Sequence, residues 1–394
     1  MKNEIREVLF EMVRLGIDRI REFPALFRGR RLGLVTGASG LNSQLIGSVE
    51  ALNDAWGLTL LFSPEHGLRG EMQPGQTAES FVDVRTGLPC VSLFGGGFNE
   101  EGGAAAAEGA LEKLDAVVFD IQDAGSRYYT YASTLFYLMQ ACARRGKEVV
   151  VLDRPNPLGG LLLEGNTHRP ENFSFIGRTP VPIRHGMTLG EMARFFQDRF
   201  HPECPLQVVP MEGWKREMYF EDTGLFFTPP SPNLPTLTSL SLYNGTCLFA
   251  GTNVSEGRGT TEPFTLVGAP WIDGGRLARR MNDVGLPGLR FAEAWFTPQF
   301  SKYQNVPCGG VRIHVTDARA VHGVNTGVHL LCAVRELFPE FAFRAPGPDG
   351  RWHIDIASGT DQLRRGEMSA EEICRAWARE AEAFRPTLEK YALY

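Results

Sequence analysis

No long apolar run occurs near the start of this sequence. From Met1 to Phe23 the chain is interrupted by Glu4, Arg6, Glu7, Arg14, Asp18 and Arg19, which leaves no segment fit for a signal peptide or a membrane span. That stretch reads as an amphipathic helix packed on the body. Cysteine is sparse: Cys90, Cys142, Cys204, Cys247, Cys308, Cys332 and Cys374 are odd in number, far apart and form no C-x-x-C pair. This excludes a disulfide framework and a zinc knuckle, and it fits a reducing, cytoplasmic compartment. Basic runs are missing as well. With a formal net charge of -6 and scattered lysines and arginines, the chain offers nothing to track a nucleic-acid backbone. His66, His168, His185 and His314 fall at no metal-ligand spacing, so no metal is expected. There is no G-x-S-x-G elbow, and Ser39, its nearest imitation, lacks triad partners, which argues against acyl transfer.

What is present is a folding chain. Hydrophobic residues make up 43% and charged residues 22% of 394 positions, and that length predicts two domains of unequal size. Between Arg31 and Pro155, short apolar runs alternate with helical patterns, the mark of a parallel sheet covered by helices. Strands are predicted at 32–36, 58–63, 90–94, 116–120 and 148–152, with helices at 43–56, 100–114 and 130–145. Past Pro155 the pattern turns irregular. A helix at 188–200 opens on a Thr188–Glu191 capping pattern. Pro229-Pro230-Ser231-Pro232-Asn233 marks a boundary between domains at 1–232 and 233–394. The second reads as smaller and α+β, with helices at 237–249, 324–337 and 369–384 and a strand at 311–315.

Right-handed crossovers bring the carboxyl ends of parallel strands to one edge, where open α/β sheets bind ligands. The polar residues concentrate there. Ser63-Pro64-Glu65-His66-Gly67-Leu68-Arg69-Gly70 sets an acid, an imidazole and a guanidinium on a rigid strand-end turn. Glu65 suits a general acid that His66 orients; a plain turn in which Glu65 pairs with Arg69 is the alternative. Asp120, Gln122, Asp123, Arg127, Tyr128 and Tyr129 share the next strand-to-helix junction, a composition suited to sugar hydroxyls and sugar faces. There, Asp123 as a helix cap with tyrosines in the core is the alternative. Arg154, Asn156 and Glu164 add polar groups on a Pro- and Gly-stiffened segment, and Glu256, Arg258 and Thr260 lie in a glycine-rich loop of the second domain. Val35-Thr36-Gly37-Ala38-Ser39-Gly40 has two glycines of a dinucleotide-binding turn but not the third, so a nicotinamide-dependent oxidoreductase stands as one alternative. A non-catalytic sugar-binding protein is another.

Six ordered blocks carry a resemblance: P-E-H-G-L-R-G at 64–70, D-I-Q-D-A-G-S-R-Y-Y-T-Y at 120–131, D-R-P-N-P-L-G-G at 153–160, H-G-M-T-L-G-E at 185–191, S-P-N-L-P at 231–235 and S-E-G-R-G-T-T at 255–261. Together they resemble the bacterial exo-β-N-acetylmuramidases of glycoside hydrolase family 171 from about Leu32 onward. The resemblance implies a Rossmann-like sheet with helices on both faces, a smaller C-terminal domain, and a cleft that releases terminal β-linked N-acetylmuramic acid from peptidoglycan fragments without a cofactor. It makes Glu65 the catalytic residue. His66 and Asp123 are expected beside it, with His185 and Asn233 joining the substrate-binding set above. Gly37 stands where such proteins usually carry asparagine. The second catalytic group is expected to be Asp123, Glu164 or the substrate's own N-acetyl group, and the lactyl carboxylate is expected to meet Arg69, Arg127, Arg154 or Arg258.

Overall fold

The computed structural model describes residues 12–70, 80–93 and 108–394. Its larger sheet runs β1 (Leu32–Val35), β2 (Leu60–Ser63), β3 (Phe81–Val82), β4 (Pro89–Ser92), β5 (Ala116–Phe119), β6 (Glu148–Leu152) and β7 (Leu206–Val209) in the spatial order β3-β4-β2-β1-β5-β6-β7. Every pairing is parallel except β3 on β4. All five predicted strands form. β3 and β7 were not foreseen: Phe81 and Val82 are too short a run to show periodicity, and Leu206–Val209 is only partly buried, lacking the apolar signature of the central strands.

Side chains alternate across each strand, so the sheet feeds two cores. Leu32, Leu34, Leu61, Val118 and Val150 face one, which Val13, Leu15, Ile17 and Ile20 cover. The expected N-terminal amphipathic helix is corrected here. Within the described residues this covering segment is a 3-10 turn, Gly16–Glu22, set on strand ends so tightly that a Cβ on Gly16 would meet Asp153 N at 2.5 Å. Residues 1–11, the start of the predicted 100–114 helix and the end of the predicted 90–94 strand lie outside the described residues. On the other face, Val35, Phe62, Val117 and Val151 join a core that continues through α2 (Thr130–Arg145) and α3 (Leu189–Arg199), while α1 (Ser48–Trp56) covers the first face.

Of these, α1 packs with the N-terminal segment through Val49 and Leu52, while α2 and α3 belong to the second core. Thr188 caps α3 as its sequence predicts, accepting from Glu191 N–H while the Glu191 carboxylate accepts from Thr188 N–H. The second core runs without a break into the smaller lobe, where α4 (Leu237–Thr246), α5 (Gly274–Val284) and α6 (Gly323–Leu337) support an antiparallel sheet of order β8-β10-β9: β8 (Leu266–Ala269), β9 (Leu289–Phe296) and β10 (Cys308–Val315). α4 and α6 cross at glycines. A Cβ on Gly245 would lie 1.9 Å from Gly323 O and 2.7 Å from Gly327 N. Four further helices, α7 (His353–Ser358), α8 (Gln362–Arg365), α9 (Ala370–Ala383) and α10 (Arg385–Tyr391), complete the chain. Among the described residues, no helix is long and apolar enough to cross a membrane.

Candidate active site

Glu65 follows β2, and its neighbour His66 takes the left-handed conformation (φ 75°), which strains a non-glycine backbone and turns the loop back over the sheet edge. The half-buried carboxylate accepts a 2.7 Å hydrogen bond from Thr130 Oγ1, the first residue of α2. Helix N-termini favour negative charge, so the junction of β5 and α2 both aims and stabilises this group.

Around Glu65 lies a cavity of about 150 Å³ that both lobes line: His66, Tyr128, Tyr129 and Thr130 from one, and Asn233, Tyr243, Arg258, Phe264 and His353 from the other. Two of its tyrosine hydroxyls are committed to backbone carbonyls. Tyr128 donates to Asn244 O, and Tyr129 and Tyr131 both donate to Pro230 O at 2.6 and 3.0 Å, tying α2 to the Ser231–Pro235 segment. The Tyr128 and Tyr129 rings also line the cavity. Tyr128 stands edge-on to Tyr243 at 5.5 Å, and Tyr243 edge-on to Phe264 at 4.8 Å.

A second cavity of about 640 Å³ adjoins the first, sharing Ala250, Arg258 and His353 and adding Glu256, Lys302, Tyr303 and Arg344. Arg258 is the hinge between them. Its guanidinium lies 2.7 Å from Glu256 and 5.1 Å from the Phe264 ring centroid. Burial opposes its charge, but the Glu256 carboxylate more than offsets this and holds its pKa above the ordinary value. Burial lowers His353 to about 4, so it is neutral at pH 7.

Several sequence-predicted residues serve elsewhere. Asp123 is buried and is not among the residues that line the cavity. It accepts from Gly125 N–H at 2.8 Å and faces His185 Nε2 at 3.9 Å, while burial raises it to about 7. His185, fully buried and lowered by that burial to about 4, accepts from Met187 N–H through Nδ1. Asp120 and Arg154 form a buried bidentate pair at 2.6 and 2.9 Å, with Ser48 donating to the same carboxylate. Gln122 donates to Asp123 O and Pro155 O, and Asn156 bridges Met187 O and Leu158 N–H.

Arg127 gives its donors to four carbonyls, of Asn166, Val181, Ala357 and Ser358, and so clips the two lobes together. Arg69 bonds Asp83 at 2.8 Å. Glu164 pairs with Arg184 and receives Val324 N–H at the start of α6. Thr260 shapes its own loop by bonding Gly257 O. The structure therefore gathers Glu65, His66, Tyr128, Tyr129, Asn233 and Arg258 at one cavity and Glu256 at the adjoining one, whereas the other predicted residues line neither.

The first-strand turn leaves little room for a dinucleotide. The crevice beside Ser39, Gln122 and Arg154 is about 20 Å³, room for about one water molecule. Sequence reasoning missed Tyr243, Lys302 and His353. Tyr243 sits in an apolar helix that resembles core, Lys302 stands in a loop and His353 at the start of a short helix, with no motif around either.

Two family models account for almost the whole chain: the N-terminal domain of exo-β-N-acetylmuramidase NamZ matches residues 32–238 and its C-terminal domain matches 241–394. Peptidoglycan β-N-acetylmuramidase NamZ of Bacillus subtilis is 41% identical over 389 residues, covering 97% of this chain and 91% of that protein. Two DUF1343 family proteins of Bacteroides fragilis share the fold, with TM-scores of 0.85 and 0.76 at 31% and 29% identity; each comparison covers 97% of this chain and 99% of the other. A cavity built on the P-E-H-G turn, the β5–α2 junction and the second-lobe glycine loop thus coincides with a match over both domains, and the chain belongs to the exo-β-N-acetylmuramidase NamZ family.

Proposed function

We propose that this protein is a glycosidase that releases non-reducing-terminal β-linked N-acetylmuramic acid from peptidoglycan fragments, with Glu65 as the proton donor to the departing oxygen. The observation that carries this is a carboxylate on a strained turn, fixed by Thr130, at the wall of a cavity sized for one sugar and faced with aromatic rings. His66 contributes to the placement of Glu65 as its immediate neighbour on that wall.

Among the described residues, no second carboxylate lines this cavity. Asp123 does not line it, Glu164 caps α6, and Glu256 is engaged by Arg258 and Lys302. This favours the substrate's N-acetyl oxygen as the nucleophile: it attacks C1 as Glu65 protonates the leaving oxygen, and water then opens the ring intermediate, giving back its proton to Glu65. The anomeric configuration is retained by the two inversions. For the lactyl carboxylate, Arg258 is the best-placed of the four candidate arginines, since Arg69, Arg127 and Arg154 are engaged elsewhere. The division into domains near residue 232 and a cytoplasmic setting belong to the same reading; seven free cysteines support a reducing compartment.

The test is nitrophenol release from para-nitrophenyl β-N-acetylmuraminide, with the glucosaminide as control, by the natural chain and by Glu65→Gln. Turnover of the muraminide alone, abolished in the variant, is expected. Hydrolysis of neither sugar by the natural chain would sink the reading, and a first-formed product of inverted configuration, seen by proton NMR, would sink the N-acetyl mechanism alone.

A further inference from the structure

We propose that Lys302 sets the net charge of the sugar cavity and thereby acts as a positioning residue for carboxylate recognition by Arg258. This rests on the muramidase reading and deepens it. Glu256 is almost fully buried and touches two cations, Arg258 at 2.7 Å and Lys302 at 2.9 Å. Lys302 itself is saturated: its three N–H donors go to Glu256 Oε2, Phe249 O at 2.6 Å and Val254 O at 2.8 Å. It therefore has no donor left for a ligand and works through the groups it holds.

The charge count decides what Arg258 offers. Glu256 and Arg258 alone would be a neutral pair, and an approaching carboxylate would be repelled by one about as strongly as it is attracted by the other. Lys302 gives the triad a net charge of +1 in a setting where water screens little. Other groups that line the cavities do not alter the count: Glu65 enters the reaction with the proton it donates and is then uncharged, His353 is neutral at pH 7 through burial, and Arg344 is exposed on the rim, where solvent screens it. The backbone bearing Lys302 is unusual as well. Ser301 (φ 70°), Tyr303 (φ 56°) and Asn305 (φ 61°) are left-handed without being glycine, and Tyr303 donates to Asn253 O at 2.5 Å. Strain of this kind persists where the surroundings enforce a geometry. Here it seats an ammonium group under a buried glutamate.

The experiment measures kcat/KM on the muraminide and the glucosaminide for the natural chain, Lys302→Met, Glu256→Gln and the double variant. Lys302→Met lowers the muraminide-to-glucosaminide ratio about tenfold or more, chiefly through KM, as expected for loss of a charge-assisted contact. The double variant returns the triad to +1 and recovers most of the ratio. A ratio unchanged in Lys302→Met overturns the proposal, as does a double variant no better than the single one, which is what a purely structural lysine predicts. Should Lys302→Met not fold, Glu256→Gln alone decides: its triad carries +2, so the ratio holds or rises, and a tenfold fall overturns the proposal. Calorimetric titration with N-acetylmuramic acid and N-acetylglucosamine reads the same charge effect without turnover, so failure of the muramidase reading and failure of this inference are told apart.

Discussion

Asp123 offers the sharpest test of how this structure assigns its carboxylates. It is a fully buried acid with one strong hydrogen bond, from Gly125 N–H, and burial raises it to about 7. An ordinary aspartate in the unfolded chain titrates near 3.9. Between those values the folded protein holds a proton that the unfolded chain has released, so stability falls as pH rises from about 4 to about 7 and is level above that. Over pH 5 to 8 the loss attributable to Asp123 is about 2–3 kcal/mol at roughly 1.4 kcal/mol per unit.

Asp123→Asn mimics the protonated form and removes this slope. Other groups also titrate in the interval: burial lowers His185 and His353 to about 4, which makes stability rise from pH 4 to 6.5, and it raises Asp153 to about 6. His353 and Asp153 are common to both proteins and cancel in the difference; His185 faces Asp123 at 3.9 Å but burial keeps it neutral in the folded protein at both pH 5 and pH 8, so it adds no slope of its own to the difference. Urea denaturation at pH 5 and pH 8 should therefore show the variant gaining about 2–3 kcal/mol on the natural chain at the higher pH, with muraminide hydrolysis retained because Asp123 does not line the cavity. A stability difference independent of pH, together with abolished turnover, would refute this reasoning and make Asp123 a reacting carboxylate.

Other perturbations separate the chemistry from its frame. Glu65→Gln should cut kcat by about 10²–10⁴-fold with an unchanged melting temperature, and Thr130→Val, which removes the 2.7 Å bond to Glu65, should lower kcat while leaving KM near its natural value; steady-state kinetics check both. Glu164→Ala breaks the buried pair with Arg184 and uncaps α6, so denaturation should show a loss of about 3–5 kcal/mol, with activity per folded molecule preserved. Gly245→Ala forces a methyl group against Gly323 O and should cost about 1–3 kcal/mol or more, again read by denaturation.

How much was legible beforehand depended on whether the signal was local. Buried parallel strands are short apolar runs, so Leu32–Val35, Ala116–Phe119 and Glu148–Leu152 could be read from the chain, as could the Thr188 cap. β7 and the edge strand β3 could not, because partial exposure dilutes the pattern. Glu65 stood out because an acid followed by His and Gly on a strand-end turn has no simple structural need. Its companions at 120–131 looked equally functional, yet Asp120 answers Arg154, and Arg127 answers carbonyls more than 200 residues away in the chain.

Local signals were enough for the five central strands, the edge where they end and the turn that carries Glu65, since strand periodicity and turn chemistry act over a few residues. Which polar groups face the cavity and which pair with one another was settled by contacts between distant segments. An arginine or a carboxylate has the same local signature whether it meets a substrate or a buried partner. The partner comes from a distant segment, as Lys302 does for Glu256, and the cost of burying a charge is settled only when the lobes close around it.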